Sequence, residues 1–164
     1  PPLFFFFLHI YGVNDEDSNW LVAKYRERYK VKGCAESTVY DGVPEMLKAL
    51  KEKGKRIAIA SSKPKQFVDE ISKHLGIFDY YDYVSAESFD KTHSSKEDLI
   101  NNVLDHFGNP PKEQCLMIGD RFYDIDGAKA VDLDSAGAIY GFGTEEELRN
   151  AGATYILSSP DDII

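Results

Sequence analysis

The sequence has few cysteines and no excess of basic residues, and each shortage narrows the range of functions. Its two cysteines, Cys34 and Cys115, lack C-x-x-C spacing, so we expect two reduced thiols in a cytoplasmic protein. Acidic residues outnumber basic ones by 28 to 19, which gives a net charge of -9. This charge argues against nucleic acid as a partner, because phosphate backbones require a basic face.

Long apolar segments are also missing. The run at residues 3–8 includes four consecutive phenylalanines, but it is far shorter than the roughly 20 residues of a membrane-spanning helix. No Lys or Arg precedes Lys24, so the run lacks the pattern of a secretory signal. We expect no membrane partner, and we expect the run to be buried against another part of the protein.

Hydrophobic residues make up 43% of the 164 residues, which is enough for one ordinary globular core. Asn14 followed by three acidic residues is typical of a helix start, and we predict a helix to about residue 29. Residues 30–38 are interpreted as a linker.

From Val39 onward, short apolar runs alternate with amphipathic segments. Strands are predicted at residues 57–60, 83–84, 115–118, 136–140 and 154–157. Helices are predicted at residues 44–54, 64–76, 95–107 and 127–131, and from residue 144. This alternation predicts parallel βαβ units in a doubly wound α/β sheet.

Ligands of such sheets bind beyond the carboxyl ends of the strands. Ser61 and Ser62 follow the first predicted strand, and Pro64 opens a helix whose first N–H groups can bind an anion. On its own, this feature is more typical of an ordinary helix start.

Two aspartates follow the predicted strand at residues 115–118. Asp120 comes at the strand end and Asp124 four residues later, and carboxylate oxygens suit Mg²⁺, which often bridges to phosphate. The alternative is a helix-capping aspartate beside a surface aspartate, but the pair favours metal binding. Lys96, near a helix start, would be an ordinary surface lysine without these features.

These features, in this order, resemble the haloacid-dehalogenase superfamily and its phosphoglycolate-phosphatase-like subfamily. IASSKP resembles the second motif, HSSKEDLI the third, and LMIGDRFYDIDGA the fourth, with YGFG, EEL and AGATYI following in order. The resemblance covers about residues 39–160. It identifies residues 39–164 as a Rossmann-like α/β core and residues 1–38 as the remnant of a helical cap, although the phenylalanine run departs from that cap.

The resemblance implies a Mg²⁺-dependent phosphatase that acts on a small phosphorylated substrate through an aspartyl phosphate. Ser61 would hydrogen-bond the transferred phosphoryl group, with Ser62 beside it in the phosphate site. Lys96 would neutralise this group and position the nucleophile. Asp120 would bind Mg²⁺, and Asp124 would support the metal or its waters.

The first motif of the family, a strand followed by Asp-x-Asp-Gly-Thr, cannot be placed in this sequence. Residues 15–17 and 124–127 have Asp-x-Asp spacing, but the first segment is better interpreted as a helix start and the second belongs to the fourth motif. We therefore expect the nucleophile and the first, central strand to be missing. The chain alone should be inactive and poorly stable, because two sheet edges stay unpaired.

Two other interpretations remain. One is a non-catalytic relative that binds phosphate or metal, and the other is a receiver-like signalling domain, which would need paired acids after its first strand. Gly141-Phe142-Gly143 is interpreted as a turn, because Glu146 stands where a dinucleotide motif needs its third glycine.

Overall fold

The computed structural model describes residues 3–33, 35–88 and 94–164. The helices are α1 Leu3–Phe5, α2 Asp15–Arg28, α3 Val43–Glu52, α4 Lys65–His74, α5 Lys96–His106, α6 Phe122–Ala130 and α7 Glu145–Ala151. The strands are β1 Ala58–Pro64, β2 Tyr83–Glu87, β3 Leu116–Gly119, β4 Asp134–Ala138 and β5 Tyr155–Leu157. Cys115 is a free thiol, and Cys34 lies outside the described residues.

The strands form two parallel sheets, in the orders β1-β2 and β3-β4-β5. Ile59 pairs with Val84 in the first sheet, and Ile118 pairs with Ala136 in the second. The predicted parallel α/β architecture is confirmed. Within the described residues, β1 and β3 each pair on one side only, so the sheet is divided into two parts.

Helix α5 joins the two sheets. It packs against β1 and β2 of the first sheet and against α6, which covers β3 and β4 of the second. Its residues Ile100 and Leu104 form a buried cluster with Val131, while a second buried cluster joins Met46 and Leu47 of α3 to Ile77. Apolar spacing along α5 and α3 therefore accounts for both halves of the core.

An apolar groove of about 1020 Å³ runs between the two sheets. Its walls include Ala58, Ile59 and Ala60 of β1, Leu116, Met117 and Ile118 of β3, and Ile100, Val103 and Leu104 of α5. The unpaired edges of both strands thus face one apolar space. Backbone N–H and C=O groups at such edges need hydrogen-bond partners.

Several boundaries differ from the sequence prediction. A π-helix at Tyr29–Gly33 occupies the start of the predicted linker, β2 extends to Glu87, and β4 spans Asp134–Ala138 instead of residues 136–140. Two further differences lie beside the predicted site residues. Strand β1 continues through Ser61 to Pro64, with a register shift after Ser61, so Pro64 caps α4 instead of opening it. Helix α6 begins at Phe122 and not at Gly127, because Asp124 accepts the N–H of Arg121 and so caps the first turn.

The helical segment before residue 39 contacts the core through Tyr29. Asn14 caps α2 as predicted, with Oδ1 accepting the N–H of Asp17 at 2.9 Å. Lys63 donates to the Tyr29 hydroxyl at 2.7 Å, and the Tyr29 ring packs edge-on against Phe67.

The phenylalanine run is half-buried at the side chains that the structure describes, so the expected burial is only partial within this chain. No helix in residues 3–33, 35–88 and 94–164 has the length and apolarity needed to cross a membrane.

Candidate active site

Ser61 lies near the end of β1, and its hydroxyl oxygen already accepts one hydrogen bond. Its Oγ accepts the N–H of Lys63 at 3.1 Å, which fixes the side chain and leaves the O–H hydrogen available to a ligand. Ser62 follows in the same strand and is half-buried. Both hydroxyls therefore lie at the carboxyl end of the sheet, where ligands of open α/β folds bind.

Lys96 connects β1 with helix α6. It is the first residue of α5, after a capping box formed by Ser95 and Asp98. Its ammonium donates to the carbonyl of Ala60 at 2.9 Å and lies 2.8 Å from Oδ1 of Asp124. Both charged side chains are largely buried, at 16% and 14% exposure, so solvent screens this ion pair weakly.

Two glycines make room for this pair. A Cβ on Gly127 would lie 2.3 Å from Cγ of Lys96, and a Cβ on Gly119 would lie 2.1 Å from Cβ of Asp124. No real side-chain contact is that close, so both positions require glycine. The glycines of the GDRFYDIDG segment therefore set the positions of Lys96 and Asp124 by leaving space for them.

Asp120, directly after β3, is held by the loop after β4. Its Oδ2 accepts the N–H of Phe142 at 2.9 Å. The two glycines that flank Phe142 pack directly against Asp120. A Cβ on Gly141 would lie 2.4 Å from Cβ of Asp120, and a Cβ on Gly143 would lie 2.1 Å from the Asp120 carbonyl oxygen. The turn predicted at residues 141–143 therefore fixes the position of Asp120, the first aspartate of the fourth motif.

Glu147 of α7 holds the residues that follow Asp120. Its Oε1 accepts from Nε of Arg121 at 2.8 Å and from the N–H of Phe122 at 3.0 Å. Partial burial alone would raise the pKa of Glu147, but the hydrogen bonds from Arg121 and Phe122 and the Arg121 charge outweigh it and lower the pKa. The carboxylate is therefore ionised near neutral pH.

The donors at this site fit Mg²⁺ only as part of a larger coordination shell. Among the described residues, no three His, Cys, Asp or Glu side chains are grouped to hold an ion. Asp120 has one carboxylate oxygen without a protein partner in that part of the chain, whereas Asp124 is engaged by Lys96 and Arg121. Because Mg²⁺ commonly uses one or two carboxylates with waters and substrate phosphate, this set is compatible with it.

The structure brings the predicted residues to one end of the molecule. Lys96 contacts the residue before Ser61 and also contacts Asp124, and Asp120 lies in the loop that leads to Asp124. Their catalytic, phosphate-binding and metal-binding roles stay predictions. Sequence reasoning missed Glu147, whose only signal was its capping-box spacing from Thr144.

The sequence and the structure both resemble known hydrolases. Residues 6–132 match the model of the haloacid dehalogenase-like hydrolases. The chain is 40% identical over 149 residues to a 5'-nucleotidase of Pseudomonas aeruginosa, covering 91% of this chain and 67% of that protein. It is 33% identical over 134 residues to a phosphoglycolate phosphatase of Colwellia psychrerythraea, covering 80% and 58% of the two chains.

The crystal structure of a predicted phosphatase from Clostridium acetobutylicum superposes with a TM-score of 0.93 at 39% identity. The match covers 99% of this chain and 75% of that one. Against curated relatives, the chain spans between 50% and 67% of their length.

Proposed function

The chain belongs to the haloacid dehalogenase-like hydrolases. We therefore propose that it is the larger part of a Mg²⁺-dependent phosphatase. The position of Lys96 carries the proposal, because its ammonium lies between the end of β1 and Asp124. An ammonium has three N–H donors, and these contacts use two of them. The third is left for a phosphoryl oxygen.

The other residues supply positioning and charge, which are the main needs of phosphoryl transfer. Ser61 donates its hydroxyl hydrogen to the phosphoryl group, and Ser62 lies beside it. Asp120 would hold Mg²⁺, which would supply positive charge to neutralise the phosphate. Asp124 orients Lys96 through their ion pair and would support the metal or its waters.

We propose that the groove between β1 and β3 receives an apolar strand that ends in the nucleophilic aspartate. The two unpaired parallel edges and the apolar walls support this proposal. The end of such a strand would emerge close to Lys96. Its carboxylate would form a bond to phosphorus while the bond from phosphorus to the ester oxygen breaks, and the second aspartate of the first motif would protonate the leaving alcohol. The same aspartate would then take a proton from a water that attacks phosphorus, which breaks the aspartyl–phosphate bond and releases phosphate.

The substrate we propose is a small phosphate monoester. A 5'-nucleotidase and a phosphoglycolate phosphatase, the two named relatives, both act on molecules of this class. A panel of p-nitrophenyl phosphate, nucleoside monophosphates and phosphoglycolate would rank the candidates by kcat/KM.

The first test is to read the coding sequence upstream of Pro1. An in-frame apolar strand followed by Asp-x-Asp-Gly would support the phosphatase. A stop codon there would support the non-catalytic relative, for which binding of phosphate and Mg²⁺ is the relevant measurement. The receiver-like interpretation is disfavoured, because β1 ends in Ser61, Ser62 and Lys63 and not in paired acids.

A further inference from the structure

We infer that Glu147 is a positioning residue that fixes the metal ligand Asp120, an inference that rests on the proposed Mg²⁺ site. Glu147 lies in the first turn of α7, after the N-cap Thr144, whose hydroxyl accepts the N–H of Glu147 at 3.1 Å. The next residue, Leu148, is fully buried and packs closely against Gly137 of β4. The carboxylate is therefore mounted on an anchored helix turn.

One oxygen of Glu147 binds two donors of the loop after β3. Oε1 accepts from the Arg121 side chain and from the backbone N–H of Phe122, the first residue of α6. The N–H groups at a helix start have no partner within the helix, so this contact satisfies one that would otherwise need water. It holds the peptide segment directly after Asp120.

The loop that leads to Glu147 also holds Asp120 itself. Phe142 donates its N–H to Oδ2 of Asp120, and Gly143 lies against the Asp120 carbonyl. Asp120 is thus held at its carboxylate by residues 141–143 and at its following peptide by Glu147. With Oδ2 engaged, Oδ1 is the oxygen presented to a cation.

Removing the Glu147 carboxylate would release Arg121 and the start of α6. The Asp120 side chain would then sample more orientations before it binds the ion. Partners of metal ligands typically change metal affinity by about 10–100-fold when they are removed. We expect Glu147→Ala to raise the Mn²⁺ dissociation constant about tenfold.

The experiment uses protein expressed from the complete reading frame, with Mn²⁺ binding followed by electron paramagnetic resonance. Glu146→Ala is the matched control, since it removes the same charge from the same helix turn at an exposed side chain. Glu147→Gln keeps an oxygen for the Phe122 N–H and should restore part of the affinity. Far-UV circular dichroism confirms the fold of each variant.

The outcomes separate this inference from the proposed function. Unchanged Mn²⁺ affinity in Glu147→Ala and Glu147→Gln, beside a wild-type protein that binds Mn²⁺, would overturn the inference alone. A wild-type protein that binds no Mn²⁺ would overturn the metal site and the inference together. If Glu147→Ala fails to fold, Glu147→Gln decides, and we expect its affinity to lie between wild type and a tenfold loss.

Discussion

The ammonium of Lys96 lies 2.8 Å from Oδ1 of Asp124, in an ion pair that joins α5 to α6. Because Lys96 also donates to the carbonyl of Ala60, the same side chain links α6 to a residue of β1 that lines the groove. The second, third and fourth motifs meet at this point. A strand placed in the groove would deliver its last residue to the same place.

Lys96→Ala should be nearly inactive in the complete protein. The change removes the cation that neutralises the phosphoryl group and leaves the Asp124 carboxylate without its charged partner, at a cost of about 2 kcal/mol in the free energy of unfolding. Hydrolysis of p-nitrophenyl phosphate and urea unfolding check the two effects. Lys129→Ala, at an exposed position of α6, is the control, and near-normal turnover in Lys96→Ala would contradict the role of Lys96.

Asp120→Asn should weaken the dependence on Mg²⁺ and cut turnover severely. An amide is a poor ligand for a hard cation, so we expect the half-saturating Mg²⁺ concentration to rise by more than about tenfold. A Mg²⁺ titration of the initial rate measures this. Asp126→Asn, on an exposed side chain of the neighbouring helix α6, should leave the titration unchanged, and an equal response of the two variants would remove Asp120 from the metal site.

Gly127→Ala should displace Lys96. The new Cβ would lie 2.3 Å from Cγ of Lys96, and a misplacement of about 1 Å at a reacting site can cost roughly 100-fold in rate. The control is Gly108→Ala, just beyond the other end of α5, where a φ of 76° strains any side chain but an added Cβ would meet nothing within 4 Å. We expect both variants to lower the melting temperature and only Gly127→Ala to lose turnover in the fraction that is folded.

Asp82 should stabilise the fold in a pH-dependent way. The hydrogen bonds from Lys51 and from the N–H of Ile57 lower its pKa below the ordinary value of an aspartate. Because the folded-state pKa is depressed, this stabilisation is complete above about pH 4 and is lost as the pH falls through the folded-state value. Asp82→Ala should therefore cost about 1 kcal/mol at pH 7 and progressively less below pH 4.

Chemical denaturation at pH 7 and pH 3 measures this difference. Asp79→Ala, at an exposed position three residues earlier, is the control and should show little effect at either pH. If Asp82→Ala lowers the free energy of unfolding by the same amount at pH 7 and at pH 3, the pH-dependent stabilisation by Asp82 is contradicted.

The sequence predicted the parallel α/β fold and the elements that carry Ser61, Lys96 and Asp120, because these signals are local. A strand of apolar residues ends in an aspartate, and a serine precedes an amphipathic helix. The start of α6 was missed because residues 122–126 mix aromatic and acidic side chains without an apolar period.

Contacts between distant segments could not be predicted in this way. Glu147 lies 26 residues beyond Arg121, and nothing in the spacing of single residues indicates that the two side chains meet. The reason for glycine at position 127 becomes visible only when Lys96 crosses it in the folded chain. The unpaired edges of β1 and β3 in the described residues, by contrast, agree with the sequence prediction, because no segment could be placed as the first, central strand.

The most direct measurement is Mg²⁺-dependent hydrolysis of p-nitrophenyl phosphate by protein from the complete reading frame, beside the 164-residue chain. We predict turnover that requires Mg²⁺ in the complete protein and none in the shorter chain, because we propose that the groove receives a strand with the nucleophile that is not among these 164 residues. Equal turnover in both proteins, or none in either, would contradict this prediction.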